Sequence, residues 1–228
     1  MKQFQRKIFE NEACLVINKL PGECSQSPDV ETDGKKFPVP VHRLDMPVSG
    51  CLLLARTSVA AAFLGAAFAQ GRVTKRYWAV VEKPHGASPM ELSPDFVRQL
   101  HWLSFDKAKN KSFAHNEAGR GRKKAELRYR LAGRGENYLF LEIELLTGRH
   151  HQIRAQLAAL GLHVKGDLKY GARRSEKNGG IRLHAYCLAF PNPLNPDETI
   201  EVKALPQSMD TLWTAFCGIS DSCHAATI

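Results

Sequence analysis

Residues 138–146, YLFLEIELL, repeat with a period of two: Leu139, Leu141, Ile143 and Leu145 fall on one side, Phe140, Glu142 and Glu144 on the other. Such alternation fits a strand that covers a core with one face, and it does not fit a helix. Residues 124–131 form a second strand-like run, and Gly133-Arg134-Gly135 supplies a turn between the two. The pair predicts an antiparallel hairpin, which argues against a doubly wound parallel fold.

The rest of the chain adds strands more often than helices. Residues 13–18, 50–55, 74–82, 182–190 and 199–204 read as strands. Residues 58–70 read as an alanine-rich helix, with Thr57 or Ser58 as N-cap and Gly71 just past its end. Residues 150–160 read as a helix stopped by Gly161, with Ile153, Leu157 and Leu160 as its apolar stripe. Residues 207–216 read as a last short helix. Residues 25–40 and 84–121 have little apolar pattern and read as loops. The expected class is α+β: a mixed, largely antiparallel sheet with flanking helices, in one domain over residues 1–217 and a flexible tail over 218–228.

Size and charge narrow the partners. The 228 residues can bury a substantial core, and no apolar run approaches the ~20 residues that span a bilayer. Six cysteines are scattered without a Cys-x-x-Cys pair, which predicts free thiols in a reducing cytoplasm. The net charge is +9, and residues 98–134 hold eleven Lys or Arg against Asp106, Glu117 and Glu126. That balance points to a polyanion, with nucleic acid ahead of a solvated surface and no membrane partner.

Residues 41–50, VHRLDMPVSG, set Asp45 beside His42 and Arg43 at the mouth of an apolar run. A carboxylate buried without partners would be neutralised, so the neighbouring cations suggest one kept ionised for use. Read alone, the motif is equally an Arg–Asp pair that pins a loop. A second cluster, residues 146–154 (LTGRHHQIR), joins a strand to a helix. A helix start offers free N–H groups to a phosphate, Arg149 adds a fork-shaped donor, and His150 and Arg154 lie four apart for a shared cleft. A metal held by His150 or His151 with Asp167 or His184 has no recognisable ligand spacing.

Five motifs together resemble the RNA pseudouridine synthases of the RluA type: VHRLDMPVSG, KRYWAVV (75–81), LLTGRHHQIRAQLAALG (145–161), GDLKYGA (166–172) and RLHAYCLAFPNP (182–193). The likeness runs from about residue 13 to 204. Pro47-Val48 and Gln156 depart from the commoner residues. The resemblance implies the pseudouridine synthase fold with a central RNA-binding cleft. The N-terminal region is too short for the small RNA-binding domain that many relatives add, so a catalytic domain acting alone, as a monomer, is expected. It implies Asp45 as catalytic nucleophile, Tyr77 as active-site tyrosine and Arg154 as the arginine that pairs with the aspartate.

The implied reaction detaches uracil from its ribose and rejoins it through C5 instead of N1, with no cofactor and no metal. A carboxylate can break a glycosidic bond by covalent attack. An arginine aims the carboxylate and keeps it charged once a bound base excludes water. A phenol is a weak base at neutral pH, so Tyr77 is expected to stack on the base more than to move a proton. Flipping a uridine out of its stack costs a few kcal/mol, and His42 and Arg43 are expected to fill the gap or hold flanking phosphates. Arg149, His151, Lys123 and Lys124 are candidates for RNA contacts, and Leu183 and His184 for lining the base pocket. The expected substrate is ribosomal or transfer RNA. An RNA-binding or chaperone protein of the same fold would need no such catalytic trio, and a nucleosidase would need an acid partner for Asp45 that the motifs do not supply.

Overall fold

The apolar runs take the short, paired form that their β-branched and leucine content favours. In the computed structural model, which describes residues 6–26, 38–84 and 92–219, they become, in chain order, β1 (Lys7–Glu10), β2 (Cys14–Lys19), β3 (Val39–Pro40), β4 (Ser49–Ala55), α1 (Ser58–Ala69), β5 (Thr74–Glu82), β6 (Val97–Asp106), β7 (Lys111–His115), β8 (Lys123–Arg134), β9 (Tyr138–Leu145), α2 (Gln152–Ala159), a 3-10 turn at Leu168–Tyr170, β10 (Leu183–Asn192), β11 (Asn195–Lys203) and α3 (Thr211–Ile219). The chain forms two compact units, Met1–Arg76 with His184–Gln207, and Tyr77–Leu183 with Ser208–Ile228.

In the first unit the strand order is β1-β2-β4-β10, with β3 on β4 and β11 on β10. The β1–β2, β2–β4, β3–β4 and β10–β11 pairs are antiparallel, while β4 and β10 run parallel, which makes the sheet mixed. Cys14, Val16, Cys51, Leu53, Leu188, Phe190 and Val202 present one face to Ala60, Leu64 and Ala67 of α1. Small residues on that helix stripe let it lie close to the sheet. Thr57 caps it by accepting from Ala60 N at 3.1 Å.

In the second unit the order is β5-β9-β8-β6-β7. The predicted hairpin is β8–β9 in antiparallel register, but β8 runs on through Arg134 with a bulge between Leu131 and Gly133. The turn is closed one step later, by Gly135 N donating to Tyr138 O at 2.9 Å. The polar side of β9 is not solvated as its sequence suggests. Glu142 and Glu144 are buried beneath their cross-strand partners Arg130 and Arg128, with N–O distances of 2.6 and 2.9 Å. Both guanidinium groups lie over the Phe96 ring. From the other side α3 brings Phe216 to Trp78 and Phe140, at centroid distances of 4.9 and 5.4 Å.

The loop expected over residues 84–121 is corrected: Val97–Asp106 and Lys111–His115 form a second antiparallel hairpin. Its apolar pattern is thin because few of its positions, chiefly His101, Leu103 and Ser112, are buried. Asp106 Oδ1 accepts from Lys109 N at 3.0 Å and Asn110 takes a positive φ of 45°, a side-chain-built turn that the basic composition hid. The last helix starts at Thr211, where Asp210 Oδ1 accepts from Trp213 N at 3.2 Å. Of the expected loop 25–40, residues 27–37 lie outside the described residues, and so do residues 220–228 of the expected tail; residues 218–219 close α3.

Candidate active site

Asp45 sits on a turn, with Val48 N donating to Asp45 O at 3.0 Å. Residues 19–25 brace that turn. Ser25 Oγ both accepts from Leu44 N at 3.0 Å and donates to Leu44 O at 2.8 Å. Gly22 N donates to Met46 O at 2.7 Å, and so does Lys19 Nζ at 3.2 Å. Lys19 is fully buried, and its ammonium also donates to Leu20 O and Glu23 O at 2.8 and 3.0 Å. Burial pulls its pKa down to about 8, against the opposing charges of Glu23 and Asp45. A lysine that reads as the last residue of a strand thus becomes a cation fixed under the aspartate's loop. Its only sequence signal is the adjoining Leu20-Pro21-Gly22 turn.

Beyond the turn the motif enters β4 through Gly50. Its φ is +116°, and a Cβ there would lie 2.3 Å from Ala185 O on the parallel neighbour β10. Only glycine allows the two backbones this approach.

His42 has a structural duty. Its Nε2 accepts from Leu53 N at 2.9 Å and its ring stacks on Phe68 at 4.9 Å. Burial, helped by the Lys75 charge, lowers its pKa to about 3. It is therefore neutral at physiological pH, which does not suit a cationic grip on phosphate and leaves the gap-filling role as the one open to it. Arg43 is exposed.

His184 is likewise committed. It is fully buried, its Nε2 lies 2.8 Å from Ala204 O and its Nδ1 2.8 Å from Ser49 Oγ. The carbonyl requires the proton on Nε2, which leaves Nδ1 to accept from the serine. Burial lowers its pKa to about 4. His184 thus ties together the head of β4, β10 and the segment after β11.

In the second unit Tyr77 is buried on β5, and Leu183 is buried at the head of β10. Arg154 is buried on α2, and Asp167 grips one edge of it: Nε donates to Oδ2 at 2.6 Å and Nη2 to Oδ1 at 2.9 Å. The Tyr170 ring lies 4.8 Å from its guanidinium carbon. Asp167 and Tyr170 both come from GDLKYGA, and the sequence offers Asp167 only as a possible metal ligand.

The start of α2 differs from expectation. His151 has a positive φ of 50°, so the helix begins at Gln152 and His150 lies outside it. The four-residue relation of His150 to Arg154 therefore has no helical basis. The expected phosphate cradle is partly filled by the chain itself: Arg149 N donates to Gln152 Oε1 at 2.9 Å, and Gln152 N to Arg149 O at 3.2 Å. His151 is buried with Nδ1 3.0 Å from Tyr170 Oη. Arg149, Lys123 and Lys124 are exposed, and Arg149 Nε donates to Lys124 O at 3.0 Å.

The structure thus gathers Arg149, Lys123 and Lys124 in one neighbourhood, sets Arg154 on Asp167 and Tyr170, and turns His42, His151 and His184 to internal bonds. Residues 13–159 match the family model described as RNA pseudouridylate synthase. An uncharacterized RNA pseudouridine synthase of Bacillus subtilis is 31% identical over 198 residues, which cover 86% of this chain and 61% of that protein. Ribosomal large subunit pseudouridine synthase D of Zymomonas mobilis is 28% identical over 233 residues, covering 90% and 71% respectively. The chain therefore spans about six- to seven-tenths of the length of these two relatives. Among solved structures, human RNA pseudouridylate synthase domain containing 1 is similar with a TM-score of 0.63 and 25% identity, over 95% of this chain and 96% of that one.

Proposed function

This chain belongs to the RNA pseudouridylate synthase family, and from that membership we propose that it isomerises uridine to pseudouridine in RNA with Asp45 as the nucleophile. The observation that carries the reading is the braced turn. A carboxylate in a loop held at Leu44 and Met46 by Ser25, Gly22 and the buried Lys19 is presented in one place. Such preorganisation serves attack on a bound substrate and would be surplus in a loop that only binds RNA.

In the proposed reaction the N1–C1′ bond breaks, the uracil turns while held, and a C5–C1′ bond forms. The C5 proton is released and N1 gains one, so atoms and electrons balance without an oxidant. Arg154 is the guanidinium assigned to orient the aspartate. The grip of Asp167 on its Nε and Nη2 supports that role, because a guanidinium fixed along one edge loses little freedom when it binds a second acceptor. Tyr77 is assigned to stack on the base. The substrate is a structured RNA, ribosomal or transfer; the name of the Zymomonas relative favours trying ribosomal large-subunit RNA first.

Asp45→Asn is expected to abolish pseudouridine formation in total RNA from cells lacking this gene and complemented with the variant, while RNA affinity stays within about twofold. An unchanged pseudouridine yield would sink the assignment. Release of free uracil by the wild-type protein would point to a nucleosidase instead.

A further inference from the structure

Ser104, Phe105 and Ser112 of the β6–β7 hairpin, Lys123 at the start of β8, and Arg149 and His150 before α2 surround a cavity of about 290 Å³ in the second unit. None of these residues holds the proposed nucleophile, and the chemistry assigned to Asp45 does not use them.

We propose that this cavity is a docking subsite for one unpaired nucleotide of the RNA substrate, its base stacked on Phe105 and its phosphate held by Lys123 and Arg149. The inference rests on the RNA-substrate reading and adds a place where that RNA is gripped.

Phe105 is 50% exposed, although it belongs to a strand whose neighbouring Leu103 is buried. It is also braced. His150 meets it edge-on at 4.5 Å, and His150 stacks at 3.8 Å on the buried His151. Ser112 Oγ fixes His150 through its backbone oxygen at 2.7 Å. An aromatic face held rigid and open is what a nucleobase stacks on, and such stacking tolerates any base.

The charge around it is selective. Several bases of this region are paired with carboxylates: Lys124 and Arg98 share Glu126 at 2.9 and 3.0 Å, Arg128 pairs with Glu144 and Arg130 with Glu142. Among the described residues Lys123 and Arg149 have no carboxylate partner. Arg149 Nε is tethered to Lys124 O, which orders the side chain while leaving both Nη groups as donors. Two cations beside one open ring match a nucleotide's phosphate and base better than an acidic peptide, whose Asp and Glu side chains carry no aromatic ring to stack. Gly121 and Gly148 line the cavity without side chains, and a Cβ at either would meet nothing within 4 Å.

The test is titration of a fluorescein-labelled single-stranded RNA pentamer into the intact protein and its variants, with a parallel titration of uridine 5′-monophosphate. Phe105→Ala is expected to weaken pentamer binding about tenfold or more, and Phe105→Tyr to restore it. Lys123→Gln is expected to shallow the slope of log affinity against log salt by about 0.7. A pentamer carrying 4-thiouridine is expected to crosslink to the β6–β7 hairpin. Should Phe105→Ala fail to fold, Lys123→Glu at an exposed position carries the test with an expected loss of about tenfold. Phe105→Ala binding equal to wild type overturns the proposal, as does mononucleotide binding as tight as the pentamer, which would mark a free-nucleotide site. Pseudouridine assays run alongside separate the two readings. No product with Phe105-dependent binding intact removes the isomerase assignment and keeps the subsite, while product with Phe105-independent binding does the reverse.

Discussion

Arg154 shows how a partner redefines a residue. The guanidinium and the Asp167 carboxylate are both buried and meet through two bonds. Removing one member of such a pair strands the other charge, at a cost of about 3–5 kcal/mol. Asp167→Asn keeps the shape and loses the charge. It is expected to lower unfolding free energy by about 3 kcal/mol in urea titrations and to cut single-turnover pseudouridine formation more than RNA affinity. A variant with unchanged stability and rate would show that Arg154 needs no such anchor. Asp167 was visible in the sequence only as an acid in GDLKYGA. Its target lies thirteen positions away, and nothing in composition or spacing named it.

Elements were legible in proportion to how regularly they are buried. Strands β2, β4, β9 and β10 carry strong apolar runs, and α1 carries its cap and its terminal glycine in the sequence. The β6–β7 hairpin is not legible because solvent reaches much of it and apolar residues, Val97, Leu100, Phe105 and Phe113, take exposed positions, which breaks the alternation. Local pattern also said nothing of the histidine that ties three segments together. His184 is neutral in the folded protein, with a pKa of about 4 against an ordinary 6.5. The unfolded chain gains a proton as pH falls through about 6.5, while the folded chain resists until about 4. Stability is therefore lost across that window, by roughly 3 kcal/mol from this residue, and is unaffected by it above pH 7. Thermal melts at pH 7 and pH 4.5 should show the loss, to which His42 contributes in the same direction, and His184→Gln should reduce it without abolishing it. An equal pH response in that variant would assign the loss to other groups.

Across the whole molecule, charge is the property that the sequence carries most directly. The net +9 predicts binding to RNA that weakens steeply with salt, with log affinity falling against log salt at a slope steeper than about −2. Filter binding between 50 and 200 mM salt (about one decade or more of affinity at that slope) measures it. A flat response would remove the basic surface from the account. The family, the order of the motifs and the α+β class were also present in the sequence, because each rests on residue types in local register. The tertiary structure decided which polar residues in those motifs serve the fold. His42 accepts from Leu53, His184 bridges Ser49 and Ala204, Gln152 folds back on Arg149, and Lys19 braces the loop of Asp45. A buried polar group is defined by its hydrogen-bond partner, and here most partners come from another part of the chain. Periodicity reports which face of an element is covered. Only the folded chain shows what covers it, and so whether a histidine or an aspartate is spent on structure or kept for chemistry.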